Sequence, residues 1–410
     1  MNISIEKIEI KNYRSCKACE FSPHNRLSTL IGPNGSGKTS ILRSILLMKH
    51  LVHEDPMRRI RFDVDPSIIK MTLDVNGNKI IHTANLYIDN DERNRDKIIA
   101  SDQKWYMKDI TGNKKLIKIP VSIFGERAKY YDHMFEDGDK VYFYSHFMRH
   151  LDLDEVGPKE VIDAIRKVSS FYDGVTYYSA SQFTDPTRCP ISIEVEEEGS
   201  RRIREYEGHR KWLLDLYSEY TNETEEYSSF LEIVGKNGIG LIDDIDFKEM
   251  PVSNIDYSVR VGGKVRKRQR TKHLVIPQFI INQSTLSPSQ LSEGTFKTLG
   301  MLFYLMTGKG SVILLEEPEV CIHHGLLSSV VELIQSYSSE KQIFISTHSD
   351  FILDAIDEDS VFVVKNDDKE GTIVNRLRTY LSGGDREALK HFLKNEGSLG
   401  EFWRMGAIDG

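Results

Sequence analysis

The chain is short of several features that would place it in common classes. Four cysteines in 410 residues are too few for a disulfide framework and point to a reducing, cytoplasmic setting. Cys16 and Cys19 make one CxxC, but Cys189 and Cys321 stand alone. No second pair completes a zinc site, and the first reads as two small strand residues. No apolar run reaches the length of a membrane span. The start, "MNISIEKIEIKNYRS", alternates like a strand and lacks a signal-peptide core. No heptad pattern is sustained, which excludes a long coiled-coil arm. Internal repeats, low-complexity tracts, an HNH pattern and a paired-carboxylate nuclease core are also absent, and "EDGDK" at 136–140 reads as a turn. The net charge of −8 gives no general attraction to nucleic acid, so any such contact has to come from a local patch.

What remains is a globular composition, 39% hydrophobic and 28% charged, in a chain too long for one compact core. "ISIEKIEIKNY" and "ACEFSPHNRLSTLIG" read as strands, followed by a glycine turn and a helix over 39–50. From 60 to 150 the pattern is β-rich, with an Asn-Gly hairpin in "MTLDVNGNKIIHTANLYI" and a second hairpin in "WYMKDITGNKKLIKIPVSIF". Residues 153–171 and 207–234 read as helical, the latter with Trp212, Leu213, Leu216 and Tyr217 as an inward stripe. Between them "GVTYYSAS" reads as a buried strand and 194–205 as a charged loop. From 284 onward helices and strands alternate, which argues a largely parallel sheet with helices on its faces. The expected organisation is α/β: an N-terminal lobe with a β-rich subdomain over 1–150, a mixed helical and β insertion over 151–275, and a C-terminal lobe over 276–410.

The densest signal is "IGPNGSGKTS". Gly32, Gly37, Lys38 and Thr39 satisfy the phosphate-loop spacing G-x-x-x-x-G-K-[ST], with an apolar strand before it and an amphipathic helix after it. Glycines allow left-handed backbone there and let amide groups approach phosphate oxygens. The following helix adds the positive end of its dipole. Gly32, Pro33, Asn34, Gly35, Ser36, Gly37, Lys38, Thr39 and Ser40 therefore form the expected ATP cradle, with Lys38 directed at the β- and γ-phosphates and Thr39 at Mg²⁺.

Three later segments narrow the chemistry. "SVILLEEPE" is a buried run ending in Glu316 and Glu317. The first stands where Mg²⁺ needs a carboxylate, and the second can orient or deprotonate an attacking water. "QIFISTHSD" ends another buried strand at Thr347, His348 and Ser349, one β–α unit later and at the same sheet edge. "LSPSQLSEGTFKTLG" opens a helix, with Ser292 as its N-cap and Gly294 permitting close approach.

In this order the motifs resemble the ABC-type P-loop ATPase head, and most closely its RecF/SMC branch and the OLD-like ATPases of bacterial defence systems. The resemblance rests on the two ends of the chain. It implies a split head with a mostly parallel sheet. Lys38 and Thr39 would belong to Walker A, Ser292 and Gly294 to the signature motif, Glu316 would be the metal carboxylate, Glu317 the catalytic glutamate and His348 the switch histidine. "NYRS", Asn12 to Ser15, resembles the segment that this branch places near the nucleotide, and His323 in "EEPEVCIHH" falls in the region of the D-loop. Glu316 stands where many ABC proteins have Asp, and the signature reads Ser-Glu-Gly instead of Ser-Gly-Gly, both as in the OLD-like branch. Gln103 and Gln182 both stay open for the Q-loop. The resemblance further implies two ATP molecules sandwiched in a head-to-tail homodimer or higher oligomer, because the signature of one subunit covers the nucleotide of the other.

A transporter does not fit a chain with no membrane segment. OLD-like proteins often carry a Toprim nuclease, and residues 349–410 are too few for one, so a nuclease effector is expected on a separate chain. The expectation is an ATP-hydrolysing sensor or regulator of such an effector in antiphage defence, similar to the Septu, retron-associated and PARIS ATPases. The alternative is a RecF-like DNA-repair ATPase. The acidic pair and His348 count against a P-loop kinase or GTPase. One basic run breaks the acidic balance. Arg266, Arg268, Arg270 and Lys272 share one face if strand-like, a candidate ridge for DNA or RNA. A protein partner and a solvated hairpin edge are its other readings. The tail around Phe402 and Trp403 is expected to dock on the head, with a partner as the alternative.

Overall fold

A computed structural model describes residues 3–53, 66–88, 98–108, 116–118, 167–168, 170–183, 185–196, 208–259, 265–308, 310–320, 322 and 324–406. The chain divides into two compact units: Met1–Tyr177, Lys309–Glu319 and Val331–Gly410 form the first, and Tyr178–Gly308 and Val320–Val330 the second. The two units are discontinuous in sequence, whereas the expected lobes are consecutive. The chain returns to the first unit twice, because its parallel sheet draws strands from both ends of the sequence.

The strands in chain order are β1 (Ile3–Tyr13), β2 (Cys16–Phe21), β3 (Leu27–Ile31), β4 (Ser67–Val75), β5 (Asn78–Ile88), β6 (Ile98–Lys108), β7 (Leu116–Lys118), β8 (Thr176–Ser179), β9 (Ile193–Glu196), β10 (Asp244–Val259), β11 (Val265–Ile281), β12 (Ser284–Leu286), β13 (Val312–Glu316), β14 (Gln342–Ser346), β15 (Val361–Asp367) and β16 (Gly371–Arg376). The helices that matter below are α1 (Lys38–His53), α2 (Gly208–Thr221), α3 (Glu225–Val234), α4 (Glu293–Thr307), α5 (His324–Tyr337), α6 (Asp350–Ala355), α7 (Leu377–Tyr380), α8 (Gly383–Asn395) and α9 (Leu399–Arg404).

A six-stranded, mostly parallel sheet runs β16-β15-β3-β14-β13-β8. Its strands β3, β13 and β14 are buried from end to end, as continuous apolar runs in a sheet covered on both faces must be. β14 is parallel to β13 on one side and to β3 on the other, with Ser346 opposite both Glu316 and Leu30. This is the α/β architecture expected for an ABC-type head. The antiparallel sheet β2-β1-β4-β5-β6-β7 supplies the β-rich part. β4 alternates buried and half-buried residues, and Asn76-Gly77, with φ of 54° and 86°, closes Val75 against Asn78 as the Asn-Gly signal predicted. The second expected hairpin is present where β6 pairs with β7, and the rest of it lies outside the described residues.

One core joins Ile5, Ile8 and Ile10 of β1, Ile41 and Ile45 of α1, and Phe344 of β14. Gln342, fully buried at the start of β14, adds a polar tie. Its Oε1 accepts from Ile5 N at 2.8 Å, and its Nε2 donates to Ile5 O and His24 O, both at 2.9 Å. Cys16 and Cys19 are buried on β2, and among the described residues no group of three or more His, Cys, Asp or Glu could hold a metal. The tail docks within this unit: Gly400 N donates to Asp354 Oδ1 at 2.6 Å, Arg404 pairs with Asp350 at 3.2 Å, and Phe402 is buried.

In the second unit Trp212 of α2 stacks on Phe279 of β11, centroids 6.0 Å apart, and meets Phe296 of α4 edge-on at 5.0 Å. The helical stretch read over 207–234 is two helices. Glu223, with φ of 48°, breaks it, and Thr224 caps α3 by accepting from Tyr227 N. Tyr217 is not part of the buried stripe, since its hydroxyl donates to Glu249 at 2.7 Å. β10 and β11 form a hairpin, paired from Asp244–Ile280 to Val259–Val265, with its tip outside the described residues. The segment read as a charged loop from 194 begins instead as β9, which pairs with β11 because Ile193 has a buried place there. Most of 153–171 lies outside the described residues, and no described helix is long and apolar enough to cross a membrane.

Gln342→Ala removes the partner of one amide and two carbonyls at a buried position. It is expected to lower the unfolding free energy of the first unit by about 2–3 kcal/mol, read as a fall in the denaturant midpoint. An unchanged midpoint means the tie between the sheets contributes nothing.

Candidate functional site

The site forms where β3, β13 and β14 end. β3 runs into the glycine loop, which hands directly to α1. Two glycines are required by space as well as by φ. A Cβ on Gly32, φ 145°, would lie 2.0 Å from Val364 O, and one on Gly37, φ 111°, would lie 2.1 Å from Thr372 Oγ1. Thr372 closes the back of the loop, with its Oγ1 3.0 Å from Ser36 O and 2.9 Å from Ser15 Oγ. Ser15 in turn lies 3.1 Å from Ser40 Oγ, so the "NYRS" turn does reach the loop. That turn carries two non-glycine residues with positive φ, Asn12 and Arg14.

Lys38 is buried and folded onto its own loop, donating to Gly32 O at 2.8 Å and Pro33 O at 3.0 Å. Burial pulls its pKa down to about 8, against the opposing pull of Glu317, Glu319 and Glu316. Thr39 Oγ1 donates to Glu316 Oε1, and the Tyr177 hydroxyl donates to Glu316 Oε2, so both oxygens of this buried carboxylate are held. Thr39 and Glu316 are hard oxygen donors. They fit Mg²⁺, which needs only one or two protein ligands beside substrate phosphates.

Glu317 sits in left-handed backbone, φ 49°, and its amide donates to Ser346 O at 2.9 Å. Its carboxylate lies 4.0 Å from His348 Nε2. Burial, then the charge of Lys38, lowers the pKa of His348, while Glu317 opposes the shift. Glu319 reaches across the same gap. Its Oε1 accepts from Thr347 Oγ1 at 2.8 Å and from His348 N at 2.9 Å. Burial raises its pKa, and these hydrogen bonds oppose the rise.

The structure thus gathers the loop Gly32 to Ser40, Glu316, Glu317 and His348 at one sheet edge of the first unit. Ser292 and Gly294 lie in the second unit. Ser292 caps α4, its Oγ accepting from Thr295 N at 3.1 Å, and Gly294 O accepts from Thr298 Oγ1 at 2.8 Å. Glu293 pairs at 2.7 Å with the buried Lys297 one turn on. Arg266, Arg268 and Arg270 occupy alternate positions of β11, opposite Ser258, Asp256 and Asn254, and their side chains lie outside the described residues. Lys272 is engaged with Glu194 at 3.1 Å. Gln182 is exposed in a turn, the Gln103 side chain is not described, and His323 lies outside the described residues. Tyr177, Glu319 and Thr372 were not read from sequence. Glu319 was visible as the last residue of "EEPE", whereas nothing local marks Tyr177 or Thr372.

Comparison with known proteins agrees on the class. The family described as "AAA ATPase domain" matches residues 3–185, and that described as "AAA domain, putative AbiEii toxin, Type IV TA system" matches residues 191–354. Both matched families are ATPase domains, and the first contains the phosphate-loop spacing at Gly32, Gly37, Lys38 and Thr39. Among curated proteins it is similar to the DNA replication and repair protein RecF of Leptospira biflexa, 32% identical over 80 residues, covering 19% of this chain and 22% of that one. The RecF protein of Vibrio vulnificus is 44% identical over 46 residues, covering 11% and 13%. The chain spans less than a quarter of the length of these relatives. Among solved structures, the SMC head domain from Thermotoga maritima aligns over 91% of this chain and 98% of that one, with 13% identity and a TM-score of 0.42. An SMC head bound to the C-winged helix domain of ScpA aligns over 92% and 98%, with 13% identity and a TM-score of 0.49.

The lowered pKa of Lys38 sets a pH window. Phosphates favour the ammonium form, so a bound nucleotide raises the pKa above its free value. The complex then holds more protons than the free protein as pH rises past about 8. Nucleotide affinity should be level from pH 7 to 8 and fall above it, by up to about tenfold per pH unit, in calorimetric titrations. Affinity that stays level to pH 9.5 removes Lys38 from phosphate contact.

Proposed function

We propose that the protein is an ABC-type ATPase that binds ATP with Mg²⁺, dimerises around it and uses the cycle to regulate a partner effector. The observation that carries this reading is the meeting of Thr39 with Glu316, beside a Glu317 carboxylate 4.0 Å from His348. Lys38 leaves the carbonyls of Gly32 and Pro33 for the β- and γ-phosphates. Thr39 and Glu316 would hold the metal, and Tyr177 keeps the Glu316 carboxylate oriented. When bound, Mg²⁺ neutralises charge on the phosphates. Glu317 accepts a proton from the attacking water. His348 can offer a hydrogen bond at the γ-phosphate. Ser292 and Gly294, at the start of α4, cover the nucleotide of a second copy with helix N-terminal amides.

Lys38→Ala is expected to lose tight ATP binding. Glu317→Gln should keep ATP binding, slow turnover about 100-fold or more and accumulate an ATP-dependent dimer in light scattering. Ser292→Arg should bind ATP and accumulate no dimer in the Glu317→Gln background. A Glu317→Gln protein that hydrolyses at the wild-type rate sinks the assignment of the acidic pair.

The effector we infer is a nuclease on a separate chain, in antiphage defence. The toxin–antitoxin wording of the family matched over 191–354 supports a partner-controlled system. The similarity to RecF over 80 residues favours the second reading, a DNA-binding ATPase in repair. The basic alternation on β11 serves either as a nucleic-acid ridge. Replacing Arg266, Arg268 and Arg270 by Glu should weaken binding to a DNA duplex and flatten its salt dependence by about three units of slope, with basal ATPase retained. An unchanged slope assigns the strand to a solvated edge.

A further inference from the structure

We propose that Glu319 is a positioning residue for hydrolysis: a latch that holds the backbone of His348 in register with the loop that carries Glu317. The proposal rests on the ATPase reading above and adds a residue to it. Two loops meet here, one following β13 and one following β14. They are joined at one point by Glu317 N donating to Ser346 O at 2.9 Å. Glu319 supplies the second point. A single carboxylate oxygen, Oε1, accepts from the Thr347 hydroxyl at 2.8 Å and the His348 amide at 2.9 Å. The Thr347 hydroxyl also accepts from Ser349 N at 2.9 Å, and Thr347 N donates to Leu30 O at 3.1 Å. Three successive residues of the switch loop are therefore tied, directly or through Thr347, to one atom of the opposite loop.

The cost side of the geometry points the same way. Glu319 Oε2 is buried and has no hydrogen-bond partner, which is unfavourable for a carboxylate. Glu317, one loop position before Pro318, holds left-handed backbone that an L-residue adopts only when its surroundings over-determine it. Stability alone does not explain a half-satisfied carboxylate next to a strained residue. Fixing the distance between the Glu317 carboxylate and the His348 ring, 4.0 Å here, does. Glu319 acts through His348, so its effect should vanish where His348 is already lost.

The test uses the full-length protein and ATP with Mg²⁺. Glu319→Ala should lower kcat about tenfold and leave the affinity for a fluorescent ATP analogue within about twofold. Glu319→Asp, which withdraws the oxygen by one methylene, should be slowed similarly. Glu319→Gln, which keeps an acceptor oxygen in place, should recover most of the rate. The double variant Glu319→Ala/His348→Ala should be no slower than His348→Ala. Multiplicative losses in the double variant, full speed in Glu319→Ala, or a Gln variant as slow as Asp would each overturn the latch. If Glu319→Ala does not fold, the Asp and Gln pair decides. Wild-type protein that hydrolyses ATP, with Lys38→Ala unable to bind it, keeps the parent reading intact whatever Glu319 does. Wild type without hydrolysis overturns both.

Discussion

Parallel pairing of β14 with β13 and β3 is the constraint on which the rest depends. Because Ser346 stands opposite both Glu316 and Leu30, three strands end at one level. The residues that follow each strand are then neighbours without further provision: the glycine loop after β3, Glu317 and Glu319 after β13, Thr347 and His348 after β14. A one-residue slip in any pairing would turn the acidic pair or the histidine to another level. The buried apolar runs resist such a slip, since every side chain of the three strands is buried.

Most polar groups of the site bond to one another. Lys38 uses loop carbonyls, Thr39 and Tyr177 use both oxygens of Glu316, and Glu319 uses one oxygen on the loop after β14. Each contact keeps a buried polar group from being stranded. In the function proposed above, nucleotide binding exchanges these bonds for bonds to phosphate and metal, so affinity reflects a difference between two bonded states and not the full strength of either. That exchange is also what lets the ligand shift a conformational equilibrium, because the two states make different contacts with the same residues.

The motifs are divided between two compact units. The phosphate loop, acidic pair and His348 belong to the first, and the cap of α4 to the second. Within the second unit α4 is anchored by the Trp212, Phe279 and Phe296 cluster and by a buried Lys297 that holds Glu293 one turn back. The N-terminus that presents Ser292 and Gly294 is thus set by packing around the helix, and its own sequence supplies only the capping hydroxyl.

Sequence alone determined the elements whose chemistry is local. The Gly-Lys-Thr spacing, the buried runs ending in Glu316 and His348, the Asn76-Gly77 turn and the Ser292 cap are each written within a few residues, because φ, capping and strand periodicity act at that range. Sequence also indicated that the sheet is mostly parallel, from the alternation of helices and strands after 284. It did not reveal the discontinuous units, the strand that begins at Ile193, or the break at Glu223, where tertiary burial outweighed the charge and helix patterns. Tyr177 and Thr372 became visible as parts of the site only in three dimensions. Tyr177 meets a carboxylate 139 positions away and Thr372 a carbonyl 336 positions away. Such pairings carry no local signature, since hydrogen bonds across strand ends depend on which strands lie side by side, and that is decided by burial of the whole sheet.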